Sequence, residues 1–196
     1  MRRFSAKRRV CFGLLTLASL PPLVLGADSQ AKLWQMLQGE GLVVLMRHAA
    51  TVPGVGDPPG FELTQCATQR NLSTAGQSDA KRIGERFRAN GVRVESVLSS
   101  RWCRCLDTAR LAFGRAQAAP MLDSMFRDEQ EGRQRKLLQV RSFLVSRSSG
   151  GLIVMVTHDV NIQALLGLYL RQGEIAVAAI GADGSLRSLG TAFLPA

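Results

Sequence analysis

Two short, continuously apolar runs constrain the fold of this chain more than any other feature. They are Leu-Val-Val-Leu-Met at 42–46 and Leu-Ile-Val-Met-Val at 152–156. Runs without polar alternation are typical of strands that are covered on both faces, as in a parallel sheet between two layers of helices. A third candidate strand spans 92–98, and amphipathic segments separate the three. We therefore expect an α/β fold, a three-layer α/β/α sandwich with a mostly parallel sheet.

The segments between and after these runs complete the predicted order of elements. The spacing of apolar residues predicts helices around 33–37, between Thr74 and Gly91, over 102–113, over 130–147 and over 162–170. Thr74 and Gln77 fit a capping box. Six Pro and Gly residues make 51–61 an irregular loop, the Pro/Gly-rich loop. Two runs at 175–180 and 185–189 predict a C-terminal antiparallel hairpin at the edge of the sheet.

The first 26 residues differ from the rest and predict a secretory signal peptide. Five basic residues precede an apolar run at 10–20, which a Pro-Pro pair ends shortly before Gly26 and Ala27. The run is shorter than the ~20 residues of a membrane-spanning helix, although a permanent anchor and twin-arginine export remain alternatives. Residues 27–196 have no internal linker and predict one domain. We expect a periplasmic or secreted protein with no stable membrane insertion after cleavage of the leader.

Charge limits the classes of partner that this chain can bind. The full sequence has 25 Lys and Arg against 15 Asp and Glu, a net charge of +10. The leader holds five of the basic residues and none of the acidic ones, so the remainder carries +5. The basic residues of the remainder are spread out, and only 6% of all residues are aromatic. We therefore expect affinity for small anions and no binding of nucleic acid.

Three cysteines remain after removal of the leader: Cys66, Cys103 and Cys105. An odd number leaves one thiol unpaired in an oxidising compartment. Cys103 and Cys105 are two residues apart and point in different directions from a helix start, so at most one of them pairs with Cys66. Cys66 and Cys103 are the disulfide candidates, and the alternative is three small buried apolar side chains. No histidine lies near them at the spacing of zinc ligands, so we expect no metal.

The only two histidines of the sequence each follow a predicted buried strand directly. His48 comes after the first apolar run, preceded by Arg47, and His158 comes after the second. The strand between them in sequence is followed by a polar segment that contains Arg101 and Arg104. Ligands of open α/β sheets bind outside the carboxyl ends of the strands. We therefore expect these side chains to converge on one crevice.

Imidazole and guanidinium groups in one crevice indicate phosphate chemistry. Arginine forks match the oxygens of phosphate and stay charged at any working pH, and a neutral imidazole can attack phosphorus. The sequence has no P-loop and no carboxylate cluster of the kind that holds catalytic metal ions. We expect a phosphate ester as substrate, with neither a metal nor an organic cofactor.

Four ordered segments resemble signatures of the histidine phosphatase superfamily, which includes cofactor-dependent phosphoglycerate mutase and the acid phosphatases. They are Leu-Met-Arg-His-Ala at 45–49, Asn-Leu-Ser-x-x-Gly-Gln at 71–77, Ser-Ser-x-x-x-Arg-x-x-x-Thr-Ala at 99–109 and Val-Thr-His at 156–158. The resemblance implies that His48 becomes a phosphohistidine, which water then hydrolyses. It also implies that Arg47, Arg104 and His158 bind the phosphoryl group.

The resemblance suggests two candidates for the general acid. Met-Leu-Asp-x-x-Phe at 121–126 resembles a segment that supplies a glutamate in many members, which makes Asp123 the first choice. His-Asp at 158–159 resembles the acid-phosphatase branch and makes Asp159 the rival. A helix N-cap is the alternative role for Asp159.

Further residues are candidates for contact with the substrate or its ligands. Thr51 lies where the family often has Ser or Thr near the phosphate, and Arg70 precedes a helix. Solvation at the surface is the alternative for Arg70. A bridge from Cys66 to either cysteine beside Arg104 would tie that arginine to the Pro/Gly-rich loop.

Departures from the family pattern favour a phosphatase over a mutase. Ala49 stands where glycine is commoner, Gly54 stands where mutases usually have asparagine, and the chain is shorter than a mutase. We expect a metal-independent phosphomonoester hydrolase that acts on a phosphorylated small molecule or an envelope component. The alternative is a catalytically inert or slow phosphate-binding protein of the same fold.

Overall fold

The computed structural model describes residues 27–147 and 149–194, so the predicted signal peptide at 1–26 lies outside the described residues. The described helices are α1 (Ala27–Met36), α2 (Thr74–Ala89), α3 (Cys103–Phe113), α4 (Gln130–Val145) and α5 (Asp159–Leu166). The strands are β1 (Leu42–Arg47), β2 (Val94–Ser99), β3 (Gln117–Ala118), β4 (Leu152–Thr157), β5 (Glu174–Ile180) and β6 (Leu186–Phe193). Single 3₁₀ turns lie at Cys66–Thr68 and Pro120–Leu122. Among these ranges no helix is long and apolar enough to cross a membrane.

The strands form a six-stranded sheet in the order β3-β2-β4-β1-β5-β6. β3, β2, β4 and β1 run parallel, whereas β5 and β6 are antiparallel and β6 forms one edge. Helices α1, α2 and α3 cover one face of the sheet, and α4 and α5 cover the other. The predicted three-layer sandwich with a C-terminal hairpin at the edge is confirmed.

Both faces of the central strands are buried, which explains their continuous apolar runs. In β1, Val44 and Met46 pack against α1, α2 and α3. Val43 and Leu45 point the other way and pack against α4 and α5. Successive side chains of a strand alternate between faces, so a strand with helices on both sides has no position for a polar residue.

The start of α2 differs by one residue from the prediction and brings this helix close to the end of β1. Ser73 is the N-cap, and its Oγ accepts a hydrogen bond from the Gly76 N–H at 3.1 Å, so the predicted capping box at Thr74 is wrong. The Ser73 N–H donates to the carbonyl of Ala50 at 3.0 Å. Ala50 lies two residues after His48, so the first turn of α2 supports the segment that holds this histidine.

The last helix begins and ends earlier than the predicted 162–170. α5 begins directly after His158 and ends at residue 166, where Gly167 takes a left-handed conformation with φ of 71°. Only glycine adopts this conformation at little cost, so it ends the helix. The following segment returns to the end of β1, where the Gly173 N–H donates to the carbonyls of Arg47 and His48 at 3.2 and 3.1 Å.

A disulfide ties the segment after the Pro/Gly-rich loop to the start of α3. It joins Cys66 to Cys103, whose Cα atoms are 5.6 Å apart, across 37 residues of sequence. Cys105 is buried and is the free cysteine of the described residues. Burial raises the pKa of its thiol to about 12, so Cys105 is an inert apolar side chain.

Candidate active site

The carboxyl ends of β1 and β4 bring the two histidines together at one edge of the sheet. The strands are parallel neighbours, with Arg47 opposite Thr157. His48 and His158 come next on each strand, and their ring centroids are 5.6 Å apart. β2 flanks β4 on its other side and ends in Ser99, directly before Ser100. The structure thus gathers the residues that follow three parallel strands into one place.

His48 is held as a neutral imidazole with one ring nitrogen free. Its Nδ1 lies 2.9 Å from the carbonyl oxygen of Ala49, which can only accept a hydrogen bond. Nδ1 therefore bears the proton, and Nε2 keeps its lone pair. Burial lowers the pKa of His48 to about 3, and three nearby arginines add to this effect. The ring is uncharged at neutral pH and can act as a nucleophile.

His158 is also buried and neutral. Burial and the neighbouring His48 lower the pKa of His158 well below its usual value. Its Nε2 lies 2.9 Å from Oγ of Ser100, and the ring of Trp102 packs against it with centroids 5.3 Å apart. These contacts fix the position of the imidazole beside His48.

Three arginines lie around His48, and we call Arg47, Arg70 and Arg104 the arginine cluster. Their Nη1 atoms donate to the Leu170 carbonyl, the Gly54 carbonyl and the Asp57 carboxylate respectively, each at 2.6 Å. The Nε N–H of all three is buried and has no acceptor within the described residues. A buried donor without an acceptor costs about 1–3 kcal/mol. Three such donors beside one imidazole are suited to the oxygens of an anion.

The histidines and the arginine cluster line a cavity of about 710 Å³. Its basic lining residues are Arg47, Arg70, Arg101, Arg104, Arg127, Arg135 and Lys136, and its acidic ones are Asp57, Asp123, Asp128 and Asp159. The excess of basic groups favours an anionic ligand. Phe61, Trp102 and Phe126 give the cavity an apolar part as well.

The two predicted general acids both line the cavity but have different partners. Asp123 is buried and bound by Arg101, whose Nε lies 2.7 Å and Nη2 2.5 Å from Oδ2, while the Arg101 N–H donates to Oδ1 at 2.8 Å. Asp159 accepts one hydrogen bond, from the Leu170 N–H at 2.9 Å, and lies 3.7 Å from Nη1 of Arg47. The N-cap of α5 is His158, so the alternative of an N-cap role for Asp159 is wrong. Within residues 27–147 and 149–194, no group of three or more His, Cys, Asp or Glu could hold a metal ion.

Comparison with known proteins agrees with this arrangement. The sequence model of the histidine phosphatase superfamily (branch 1) matches residues 43–137, the part that contains His48 and the arginines at 70 and 104. This match covers 95 of the 196 residues, just under half of the chain, and makes that part similar to the histidine phosphatase superfamily. The match supports a phosphatase in general terms. No curated protein matches the sequence.

Solved structures share the fold of this chain at low sequence identity. The protein histidine phosphatase SixA in complex with tungstate is 15% identical, with a TM-score of 0.57 over 79% of this chain and 97% of that one. The product of open reading frame Rv3214 from Mycobacterium tuberculosis is 15% identical, with a TM-score of 0.58 over 79% and 98%. Phosphoserine phosphatase from Entamoeba histolytica, in complex with 3-phosphoglyceric acid, is 14% identical, with a TM-score of 0.55 over 76% and 95%.

The two predicted substrate contacts of this chain have different positions. Arg70 lines the cavity and belongs to the arginine cluster, so the alternative of simple surface solvation is wrong. Thr51 is not among the lining residues, and its Oγ1 accepts a hydrogen bond from Nε2 of Gln172 at 3.2 Å. The substrate contact of Thr51 stays a prediction. Its hydroxyl connects the end of the β1 segment to the loop before β5.

Three groups of the site carry no assigned role in the sequence predictions. Asp57 binds Arg104, Trp102 packs on His158, and Ser100 hydrogen-bonds the same ring. The signal for Asp57 is its position between Gly56 and Pro58, where a charged side chain in an otherwise small and apolar loop needs a partner. Ser100 and Trp102 lie in the predicted polar segment after β2, the same segment that pointed to Arg104.

Proposed function

We propose that this chain is a metal-independent phosphomonoester hydrolase that acts through a phosphohistidine on His48. One observation supports the proposal above all others. A neutral His48 with a free Nε2 lies among three buried guanidinium N–H groups that have no acceptor in the described part of the chain. A phosphoryl group supplies both missing partners, an electrophilic phosphorus for the imidazole and anionic oxygens for the arginine cluster.

The reaction has two displacements at phosphorus. In the first, the Nε2 lone pair of His48 forms a bond to phosphorus, and the bond from phosphorus to the ester oxygen breaks. The leaving oxygen keeps the electron pair and takes a proton. In the second, water attacks phosphorus, loses a proton, and displaces Nε2, so inorganic phosphate leaves and His48 is regenerated. The arginine cluster stabilises the charge on the non-bridging oxygens, and His158 is the remaining ligand of the phosphoryl group.

The proton for the leaving oxygen comes from a carboxyl group of the cavity. Both oxygens of Asp123 accept hydrogen bonds from Arg101, so this carboxyl group is already engaged in holding that arginine. Asp159 accepts a hydrogen bond from the Leu170 N–H at Oδ1, and its Oδ2 lies 3.7 Å from Nη1 of Arg47, so its oxygens are less engaged than those of Asp123. We therefore propose Asp159 as the general acid, and Asp123 as the group that holds Arg101 and Ser100 beside His158.

Hydrolysis of an aryl phosphate by the purified full chain tests the proposal. We expect phosphate release that persists with a chelator present, and a loss of at least about 10³-fold in kcat for His48→Ala. Quenching during turnover should trap phosphate on the protein in an acid-labile, alkali-stable form, which is the behaviour of phosphohistidine. Equal activity in both proteins, or trapped phosphate in His48→Ala, would remove His48 from the mechanism.

A second candidate function is phosphate binding with little turnover. The ion pair of Arg101 with Asp123 favours it, because it engages the carboxyl group that was the first choice for the proton donor. Calorimetry with inorganic phosphate separates the two functions. Binding without hydrolysis of any tested ester supports the second candidate, whereas binding with turnover supports the first.

We further propose that the protein acts outside the cytoplasm on a phosphorylated small molecule or an envelope component. The predicted leader and the disulfide of Cys66 with Cys103 support export, because structural disulfides persist in oxidising compartments. Cell fractionation of the full chain tests this directly. We expect a processed form, shorter by about the leader, in the periplasmic or extracellular fraction, and an unprocessed cytoplasmic chain would contradict it.

A further inference from the structure

The Asp57 carboxylate is the centre of a buried hydrogen-bond network at the edge of the cavity. Its side chain is 8% exposed and accepts hydrogen bonds from Nη1 and Nη2 of Arg104 at 2.6 and 3.3 Å. It also accepts from Nε1 of Trp102 at 3.0 Å and from the Arg70 N–H at 3.1 Å. Four donors fill a carboxylate completely, so this side chain has a single, well-defined position.

The Pro/Gly-rich loop places Asp57 at the cavity and also contacts Arg70. Val55 at the tip is 97% exposed, whereas Asp57 points inward two residues later. Gly56 between them has a left-handed φ of 70°, which allows the chain to reverse there. The Gly54 carbonyl accepts from Nη1 of Arg70 at 2.6 Å. Residues 54–57 thus hold two of the three arginines of the cluster.

Asp57 binds one edge of the Arg104 guanidinium and leaves another edge free. It takes the end formed by Nη1 and Nη2, while the buried Nε N–H has no acceptor among the described residues. A guanidinium is a planar fork with five N–H groups, so a carboxylate on one edge leaves the edge of Nε for a second anion. Asp57 and a phosphoryl oxygen can therefore bind Arg104 together.

We infer that Asp57 is a positioning residue that holds the Nε edge of Arg104 toward the phosphoryl group. The inference rests on the proposed function and adds a residue outside the histidine and arginine signatures. An arginine side chain has four rotatable bonds, and binding an anion with a fixed guanidinium avoids the entropy loss of ordering it. Asp57 orders the Arg104 side chain before the anion binds. It also places one negative charge near the anion site, which weakens anion binding.

The two effects of Asp57 on phosphate affinity have opposite signs, which makes the inference testable. Charge alone predicts that removal of the carboxylate tightens phosphate binding. Positioning predicts that Asp57→Asn weakens binding, because the amide gives up the charged fork and Arg104 loses its fixed orientation. Asp128→Asn is the matched control, since Asp128 lines the same cavity but pairs with Lys136 at 2.7 Å and not with the arginine cluster.

The experiment is a double-mutant cycle on the full chain, with inorganic phosphate binding measured by calorimetry and aryl phosphate hydrolysis measured alongside. We expect Asp57→Asn to raise the Kd for phosphate and KM by about tenfold or more, and Asp128→Asn to leave phosphate binding as tight or tighter. In an Arg104→Ala background, Asp57→Asn should change Kd by less than about twofold, because the residue acts through Arg104. A general structural role would instead give the same loss in both backgrounds.

Tighter phosphate binding by Asp57→Asn, or an undiminished effect in Arg104→Ala, would overturn the inference. Thermal unfolding without phosphate identifies any variant that fails to fold, and the double variant removes both members of the pair so that no buried charge is left alone. Failure of the proposed function is seen separately, as absence of turnover in the unaltered chain. The phosphate cycle still decides the role of Asp57 in that case, because it measures binding and not hydrolysis.

Discussion

Arg101 distinguishes Asp123 from Asp159, the two candidates for the general acid. It binds both oxygens of Asp123 through its backbone N–H and its guanidinium group, whereas Asp159 accepts a hydrogen bond from the Leu170 N–H and lies 3.7 Å from Nη1 of Arg47. A general acid must present an oxygen to the leaving group, and both oxygens of Asp123 are already engaged by Arg101. The difference between the two residues is therefore one of partners and not of burial alone.

Asp159→Asn should lower kcat for alkyl phosphates by about 10²–10³-fold and affect activated aryl phosphates much less. The reason is that a poor leaving oxygen needs a proton in the transition state, whereas a nitrophenolate does not. Steady-state kinetics with esters of graded leaving-group pKa measure the effect. Asp123→Asn is the control and should lower kcat for alkyl and aryl phosphates by the same factor. The assignment is wrong if Asp123→Asn alone shows the strong dependence on the leaving group.

Helix α2 packs so closely on its neighbours that two of its positions admit only glycine. A Cβ on Gly76 would lie 1.8 Å from the carbonyl oxygen of Ala50, and a Cβ on Gly84 would lie 1.8 Å from the carbonyl oxygen of Ala112. The first contact is with the segment that follows His48, and the second is with α3 at a distance from the histidines. The same helix thus supports the site at one end and the core further along.

Gly76→Ala and Gly84→Ala should both lower the melting temperature, because the clash with backbone outweighs the ~1 kcal/mol that alanine gains in a helix. Only Gly76→Ala should also lower kcat/KM, by about tenfold or more, since it moves the segment that orients His48. Calorimetry and kinetics well below the melting temperature separate stability from activity. An equal loss of activity in both variants would mean that α2 acts on the site only through global stability.

The molecule as a whole folds around two histidines that stay neutral. Burial holds the pKa of His48 at about 3 and that of His158 well below its usual value. In the unfolded chain both titrate near 6.5, so the unfolded state binds more protons at acidic pH. The free energy of unfolding is therefore highest above this value and falls as the pH falls.

Acidification from pH 6.5 toward 3 should destabilise the protein by an amount on the order of a few kcal/mol from His48. His48→Gln removes the titrating group and should flatten the dependence of the unfolding free energy on pH. Urea denaturation at a series of pH values measures the slope. His158→Gln provides the comparison, and we expect a similar flattening. A slope that is the same in all three proteins would assign the acid sensitivity to carboxylates instead.

The layered fold and the proximity of the two histidines follow from local patterns in the sequence. Residues 42–46 and 152–156 have no polar position because both of their faces are covered, and parallel strands end at one edge, so the residues after them, His48 and His158, must lie close together. Such patterns are local and periodic, and a sequence displays them directly. The family signatures then added Arg47 and Arg104.

The contacts between loop side chains depend on tertiary packing and could not be predicted from the sequence. Asp57 binds Arg104, which is 47 residues later in the sequence. Arg101 binds the carboxylate of Asp123, which is 22 residues later. Thr51 accepts a hydrogen bond from Gln172, and Cys66 forms a disulfide with Cys103 and not with Cys105. Loop contacts of this kind follow no period, because they depend on distances that exist only after helices and sheet have packed. The strands therefore placed the histidines, whereas the packing of loops on helices set the orientation of the arginines.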